Sequence, residues 1–74
     1  MVKPTSVTNS IRALRASRGE MTQAELAERI GVTRQTVIAI EQGRYSPSLE
    51  LAFQIARVLG VQLDDVFHYP GETS

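Results

Sequence analysis

An all-α domain of five short helices is what the sequence predicts, and three observations carry that reading. Apolar residues recur at three- and four-residue spacing through successive stretches, the mark of helices with one inward face. Small polar residues suited to helix N-caps stand before these stretches, and Gly19, Gly31, Gly43 and Gly60 close four of them. The chain has 74 residues, 42% apolar and 22% charged, enough for a single core and therefore a single domain. The helical domain spans residues 9–68, between an N-terminal arm of residues 1–8 and a tail of residues 69–74.

The first helix covers residues 9–18, where Ile11 and Leu14 stand three apart beside Ala13 and Ala16, behind Thr8 or Asn9 as N-cap. Gly19 closes it, and Glu20 and Met21 make the connection. Thr22 and Glu25 then form a capping box, in which hydroxyl and carboxylate each satisfy a backbone donor that the helix leaves unpaired. The second helix starts at Gln23, carries Leu26, Ala27 and Ile30, and stops at Gly31. Thr33 caps the third, whose inward residues are Val37 and Ile40 and which ends at Gly43. Pro47 has no backbone donor and disfavours the helical region at Ser46, so a loop follows. Ser48 caps the fourth helix, striped by Leu51, Ala52, Ile55, Ala56 and Leu59 and ended by Gly60. Val61, Leu63, Val66 and Phe67 form a short fifth helix, with Asp64 and Asp65 in the first turn where acidic groups favour the helix dipole. Beyond Pro70 the chain frays.

Several function classes are excluded on chemical grounds. With no cysteine there is no disulfide framework and no thiolate zinc site, and His68 has no second ligand nearby, so no metal is expected. No Ser, His and acid arrangement, phosphate-cradling glycine loop or paired-carboxylate site is present, so neither enzymatic activity nor a cofactor is expected. So small a domain leaves little room for a small-molecule ligand. No apolar run approaches the roughly 18 residues of a membrane span, and the start MVKPTSVTNS lacks the apolar stretch of a secretory signal. A soluble, cytoplasmic protein with no membrane partner is the expectation.

Net charge is zero, yet its distribution is uneven. Residues 1–48 carry seven basic and four acidic side chains, net +3, and residues 49–74 carry one basic and four acidic, net −3. A basic part beside an acidic part suits one face turned to a polyanion and another kept off it; a chance asymmetry on a solvated surface is the plain alternative.

Residues 23–42 are the informative segment. Leu26, Ile30, Val32, Val37 and Ile40 are the apolar positions that let two helices close a common core at a steep angle, Ala27 is small where they cross, and Gly31 supplies the turn. That is the pattern of a helix-turn-helix, with an αα-hairpin of no nucleic-acid role as the alternative. The run residues 21–67 resembles the phage-repressor (Cro/cI, XRE-like) helix-turn-helix family, and within it the compact dimeric bacterial repressors. The resemblance rests on Thr22-Gln23-x-Glu25-Leu26-Ala27, Gly31-Val32-Thr33-Arg34-Gln35-Thr36, Glu41-x-Gly43-Arg44 and Pro47-Ser48-Leu49-Glu50-Leu51. The connection from Gly19 to Thr22 is one residue longer than the family's commonest form.

The resemblance implies a lambda-repressor-like fold that binds double-stranded DNA sequence-specifically, usually as a homodimer, to regulate transcription. In a helix-turn-helix the second helix enters the major groove with its N-terminal residues on base edges, which places Thr33, Arg34, Gln35 and Thr36 at the bases. Arg34 can donate two bonds to guanine, or instead contact a phosphate; Gln35 can bond both groups of adenine, or remain a solvated amide. Ile38 and Ala39 can meet thymine methyls, with burial in the bundle the alternative for Ile38. Phosphate contacts are assigned to Thr22 and Gln23 at the start of helix 2, to Arg44, Tyr45, Ser46 and Ser48 after helix 3, and to Arg18 on helix 1, with Arg12 weighed alongside Arg18. For Tyr45, packing over the corner between helices 3 and 4 is equally open. By resemblance, Gln23 also braces the recognition-helix glutamine, Glu41 pairs with Arg15, and Val7 and Thr8 form a short strand beside the segment around His68. Leu63, Val66, Phe67 and Tyr69 exceed what so small a core needs and are assigned to a homodimer contact. Two other readings compete: the antitoxin of a toxin and antitoxin pair, and a protein-interaction module of the same fold.

Overall fold

Three hydroxyl caps set where the central helices begin. Thr22 Oγ1 accepts from the Glu25 N–H at 3.0 Å while Glu25 Oε1 accepts from the Thr22 N–H at 2.8 Å, completing the capping box. Thr33 Oγ1 accepts from the Thr36 N–H and Ser48 Oγ from the Leu51 N–H, both at 3.2 Å. The computed structural model describes residues 5–44 and 46–70. Expectations for the start of the arm, for Tyr45 and for the end of the tail lie outside the described residues. The chain runs β1 (Thr8–Asn9), α1 (Ile11–Ser17), α2 (Gln23–Ile30), α3 (Arg34–Glu41), α4 (Leu49–Leu59), α5 (Leu63–Val66) and β2 (Phe67–His68). None of the described helices is long and apolar enough to cross a membrane.

Three boundaries differ from the sequence reading: the start of α1, the end of α3, and α5, which is only Leu63–Val66 because Val61 precedes its cap and Phe67 is drawn into β2 opposite Asn9. α1 begins at Ile11 because Asn9 is drawn into an antiparallel pair with β2, Thr8 opposite His68 and Asn9 opposite Phe67. The strand expected at Val7 and Thr8 thus stands one residue later, and Ser10 takes the N-cap position, without a side-chain bond. The Ser10 N–H donates to the Val66 carbonyl at 2.8 Å, which ties the start of α1 to the end of α5. α3 ends at Glu41 with Gln42 as its C-cap, two residues before Gly43.

The core is apolar and draws on every helix: Ile11, Leu26, Val37, Ile40, Ile55, Leu59 and Val66 are the largest fully buried side chains, each contributing roughly 1.5 to 3 kcal/mol. Gly31, at φ 75°, is the left-handed C-cap of α2 and lets the Val32 N–H reach the Ala27 carbonyl at 3.0 Å. A Cβ in that conformation would be strained, which is why the turn between α2 and α3 needs glycine there.

The connection after α1 turns through two consecutive left-handed residues, Gly19 at φ 75° and Glu20 at φ 59°. Met21 then drops into the core, a role its place in a connection does not announce. Arg15 holds this segment from both ends: its carbonyl accepts from the Met21 N–H at 3.0 Å, and its Nη1 donates to the Met21 carbonyl at 2.8 Å. The rest of the guanidinium closes on Glu41 of α3, Nε to Oε2 at 2.7 Å and Nη2 to Oε1 at 3.2 Å. Glu41 Oε1 also accepts from Gln23 Nε2 of α2 at 3.1 Å. One carboxylate therefore joins three helices.

The Arg15 and Glu41 side chains are only 13% and 9% exposed, so removing either partner strands a charge in a poorly solvated site. Arg15→Ala and Glu41→Ala are each expected to cost about 3 kcal/mol in urea unfolding, near the low end for buried pairs because some exposure remains. The double variant should lose less than the two single losses together by about 1 kcal/mol or more, and strictly additive losses would refute the coupling.

Candidate nucleic-acid interface

The outer face of α3 is built by elimination. Val37 and Ile40 point into the core, so Arg34, Gln35 and Ile38, together with Gln42 one turn further on, share the opposite side of the helix. Arg34, Gln35 and Gln42 are exposed, while Ile38 and Ala39 are half-buried. Ile38 therefore keeps part of its side chain available for an apolar contact. Thr33 and Thr36 are less free. Thr33 Oγ1 caps the helix and lies 3.0 Å from Thr36 Oγ1, so one hydroxyl proton is shared between them and one is left to donate outward. The side-chain hydrogen bonds among the described residues leave Arg34 and Gln35 unengaged, side by side in the first turn.

Beside this turn lies a cleft lined by Arg12, Thr22, Gln23, Arg34 and Gln42, with the Arg15 and Glu41 pair among its walls. Because Arg15 and Glu41 neutralise each other, the uncompensated charge here is that of Arg12 and Arg34. The N-terminus of α2 opens onto the same space, so guanidinium groups, the remaining Gln23 amide proton and the positive end of a helix converge where an anion would sit. On the other flank of α3, Arg44 and Ser46 are exposed, and the Arg44 backbone is pinned by its N–H to the Ala39 carbonyl at 3.0 Å. Ser48 Oγ accepts from Leu51, which leaves its hydroxyl proton free to donate.

Four assignments from sequence need correction. Gln23 does not brace Gln35: its amide is bonded to Glu41, because the carboxylate is the stronger acceptor within reach. Arg18 is not beside the proposed phosphate contacts. Its guanidinium lies over Gly60 at the C-terminal end of α4, where a cation favours the helix dipole; a Cβ on Gly60 would come within 2.9 Å of Nη2. Ser48 is at the opposite end of that helix, about 18 Å away. Val66 is 0% exposed in the protomer's own core and presents nothing to a partner. Of its companions, Leu63 and Phe67 are half-buried and Tyr69 is 74% exposed. Ser10, not Thr8 or Asn9, takes the N-cap position of α1; Asn9, one residue earlier, accepts at Oδ1 from the Ile11 N–H and reaches α3 with Nδ2.

Sequence reasoning gave Arg12 little weight and overlooked Gln42. The signal for Gln42 was present: it follows Ile38 by four residues on the outward face. His68 lies 3.3 Å from Ser10 Oγ at the sheet, and no cluster of metal-ligating side chains occurs among the described residues.

Comparison with known proteins agrees with this geometry. Residues 11–66 match the helix-turn-helix family profile. The chain is 67% identical over 48 residues to an uncharacterized HTH-type transcriptional regulator of Methanothermobacter thermautotrophicus, covering 64% of this chain and 70% of that one. It is 36% identical over 61 residues to the immunity repressor protein of Bacillus phage phi105, covering 82% of this chain and 42% of the repressor. Among solved structures, the restriction-modification controller protein C.AhdI of Aeromonas hydrophila superposes with a TM-score of 0.67 at 29% identity, over 74% of this chain and 78% of C.AhdI. A match that spans α1 through α5, carried by a turn between α2 and α3 and a free donor pair at the head of α3, makes this chain a member of the XRE-like, Cro/cI-type helix-turn-helix family of transcriptional regulators.

Proposed function

We propose that the protein is a transcriptional repressor that reads an inverted-repeat operator as a homodimer. The observation that carries this reading is the pairing of Arg34 and Gln35, exposed and unengaged in the first turn of α3, with donors for phosphate on both flanks. Gln35 then reads adenine and Arg34 guanine, while Arg12, Thr22, Gln23, Arg44, Ser46 and Ser48 hold the backbone on either side. The phage relative named as an immunity repressor supports repression over activation. Operator DNA places the protein in the cytoplasm, at the nucleoid.

The second copy is seated on the outer face of α4. That helix buries Ala52, Ile55, Ala56 and Leu59 on one side, yet Leu49 and Phe53 on the other side are 67% and 54% exposed. A helix apolar on both faces is one that something covers. Leu49, Phe53, Val61 and Leu63 form an apolar groove edged by Glu50 and Arg57. Glu50 and Arg57 are seven residues apart on one side of the helix, about 10 Å along its axis, and form no salt bridge with any described residue. In an antiparallel pair of α4 helices crossing at Phe53 and Gln54, each Glu50 faces the Arg57 of the other copy, so the charges of a single surface complement themselves across a two-fold axis. Two recognition helices then meet major grooves about one turn, roughly 34 Å, apart.

Two experiments test this reading. A duplex selected from a randomised pool by the wild type is compared with a scrambled duplex at one salt concentration. Gln35→Ala should lose about 1 to 3 kcal/mol of discrimination between them, whereas Arg44→Ala should weaken both alike. Equal weakening by Gln35→Ala would sink the assignment of readout. For the dimer, sedimentation at micromolar concentration should show Glu50→Arg and Arg57→Glu shifted to monomer by about tenfold or more, and the double exchange restored toward wild type. A monomeric wild type, or no restoration in the double exchange, would overturn the α4 interface.

A further inference from the structure

The C-terminal end of the recognition helix is fastened to the terminal sheet by one side chain. Asn9, in β1, donates from Nδ2 to the Ile40 carbonyl of α3 at 2.9 Å and accepts at Oδ1 from the Ile11 N–H of α1 at 3.2 Å. The first N–H groups of a helix and its last carbonyls have no partner inside it, so this amide satisfies one of each, on two different helices. Only one side-chain chemistry fits. The position needs a donor toward a carbonyl and an acceptor toward an N–H at the length of a single methylene, which asparagine has and aspartate or serine at the same reach does not supply in the same geometry. The Ile40 carbonyl also accepts from the Gly43 N–H at 3.0 Å, so the Asn9 bond uses its second lone pair and leaves the helix end intact.

Asn9 is itself held. It stands opposite Phe67 in the strand pair, its neighbour Thr8 stands opposite His68, and the Ser10 N–H is bonded to the Val66 carbonyl. A continuous path of bonds therefore runs from the last elements of the fold through β1 to the end of α3. The Arg15 and Glu41 pair is attached one residue beyond Ile40, so both anchors act on the same turn of α3. Arg34 and Gln35, at the opposite end of that helix, would swing furthest if this turn were released.

We propose that Asn9 is a positioning residue for base readout: by clamping the C-terminal turn of α3 to the terminal sheet, it sets the angle at which Arg34 and Gln35 are presented to the bases. This rests on the reading of α3 as the recognition helix. Asn9→Asp is the discriminating variant, because it keeps an oxygen for the Ile11 N–H and loses the donor to Ile40. Its preference for the selected duplex over the scrambled one should fall by about tenfold, comparable to the loss of one bidentate base contact, with affinity for scrambled DNA unchanged. A residue that only stabilised the fold would lower the melting temperature and weaken both duplexes in the same proportion.

Amide hydrogen exchange supplies a readout that needs no DNA. Exchange at Gly43 and Arg44 should quicken in Asn9→Asp while that at Leu26 and Ile55 in the core stays as in the wild type. In the wild type itself, one of the two Asn9 side-chain amide protons should exchange more slowly than the other. Wild-type discrimination together with wild-type exchange at Gly43 and Arg44 in Asn9→Asp would overturn the inference, as would two equally fast Asn9 side-chain protons. A wild type that prefers no duplex over another would instead overturn the reading of the recognition helix, while the exchange data still decide the clamp.

Discussion

A carboxylate at the end of a helix that approaches a polyanion must be neutralised, and the Arg15 guanidinium does this for Glu41 through two bonds at 2.7 and 3.2 Å. Much of the arrangement depends on that contact. Arg15 belongs to α1, Glu41 to α3, and the Gln23 amide of α2 completes the carboxylate's shell. The same guanidinium holds the Met21 carbonyl, so the connection between α1 and α2 is fixed by the group that fixes α3. Such a pair adds little net stability over apolar residues of the same shape, because desolvating both charges offsets most of their attraction. Its contribution is orientation. An apolar contact would let α1 slide along α3, whereas a fork of two donors on two acceptors admits one geometry.

Scaffold and readout are separated by hydrogen-bonding capacity. Thr22, Thr33 and Ser48 each satisfy a backbone N–H at a helix start, so their oxygens are partly used within the protein. Gln23 and Arg15 are bound to Glu41. Among the described residues on and around the outer face of α3, Arg34, Gln35, Gln42, Arg12 and Arg44 keep their full set of side-chain donors. Long side chains with free donors on a rigid helix can compete for base edges and phosphates without first breaking an internal bond, which is the condition for selective binding at modest cost.

α4 has a different division. One side completes the core around Ile55 and Leu59, and the other leaves Leu49 and Phe53 in water. Ser48 stands at one end of this helix and Arg18 lies over Gly60 at the other. A single helix thus joins the surface proposed for phosphate to the surface proposed for a second copy. Any change in how two copies meet would alter the spacing of their recognition helices.

The helices themselves were legible in the sequence. Caps at Thr22, Thr33 and Ser48, the stop at Gly31 and the inward stripes of α2, α3 and α4 all act within a few residues, so local spacing suffices to read them. The exposure of Arg34 and Gln35 followed from the same periodicity. The family resemblance implied the Arg15 and Glu41 pair, but only the tertiary structure decided the partners of the other long polar side chains. Asn9 reaches a carbonyl 31 residues away, Gln23 chooses Glu41 over Gln35, Arg18 turns to Gly60, and Thr8 and Asn9 become a strand because His68 and Phe67 lie beside them. An amide or guanidinium can satisfy several acceptors at similar distance, and which one it takes depends on which elements the core has brought within reach. Val66 shows the same limit for apolar groups: its pattern marks it as hydrophobic, and the packing of α5 against α4 determines that it faces inward and not toward a partner.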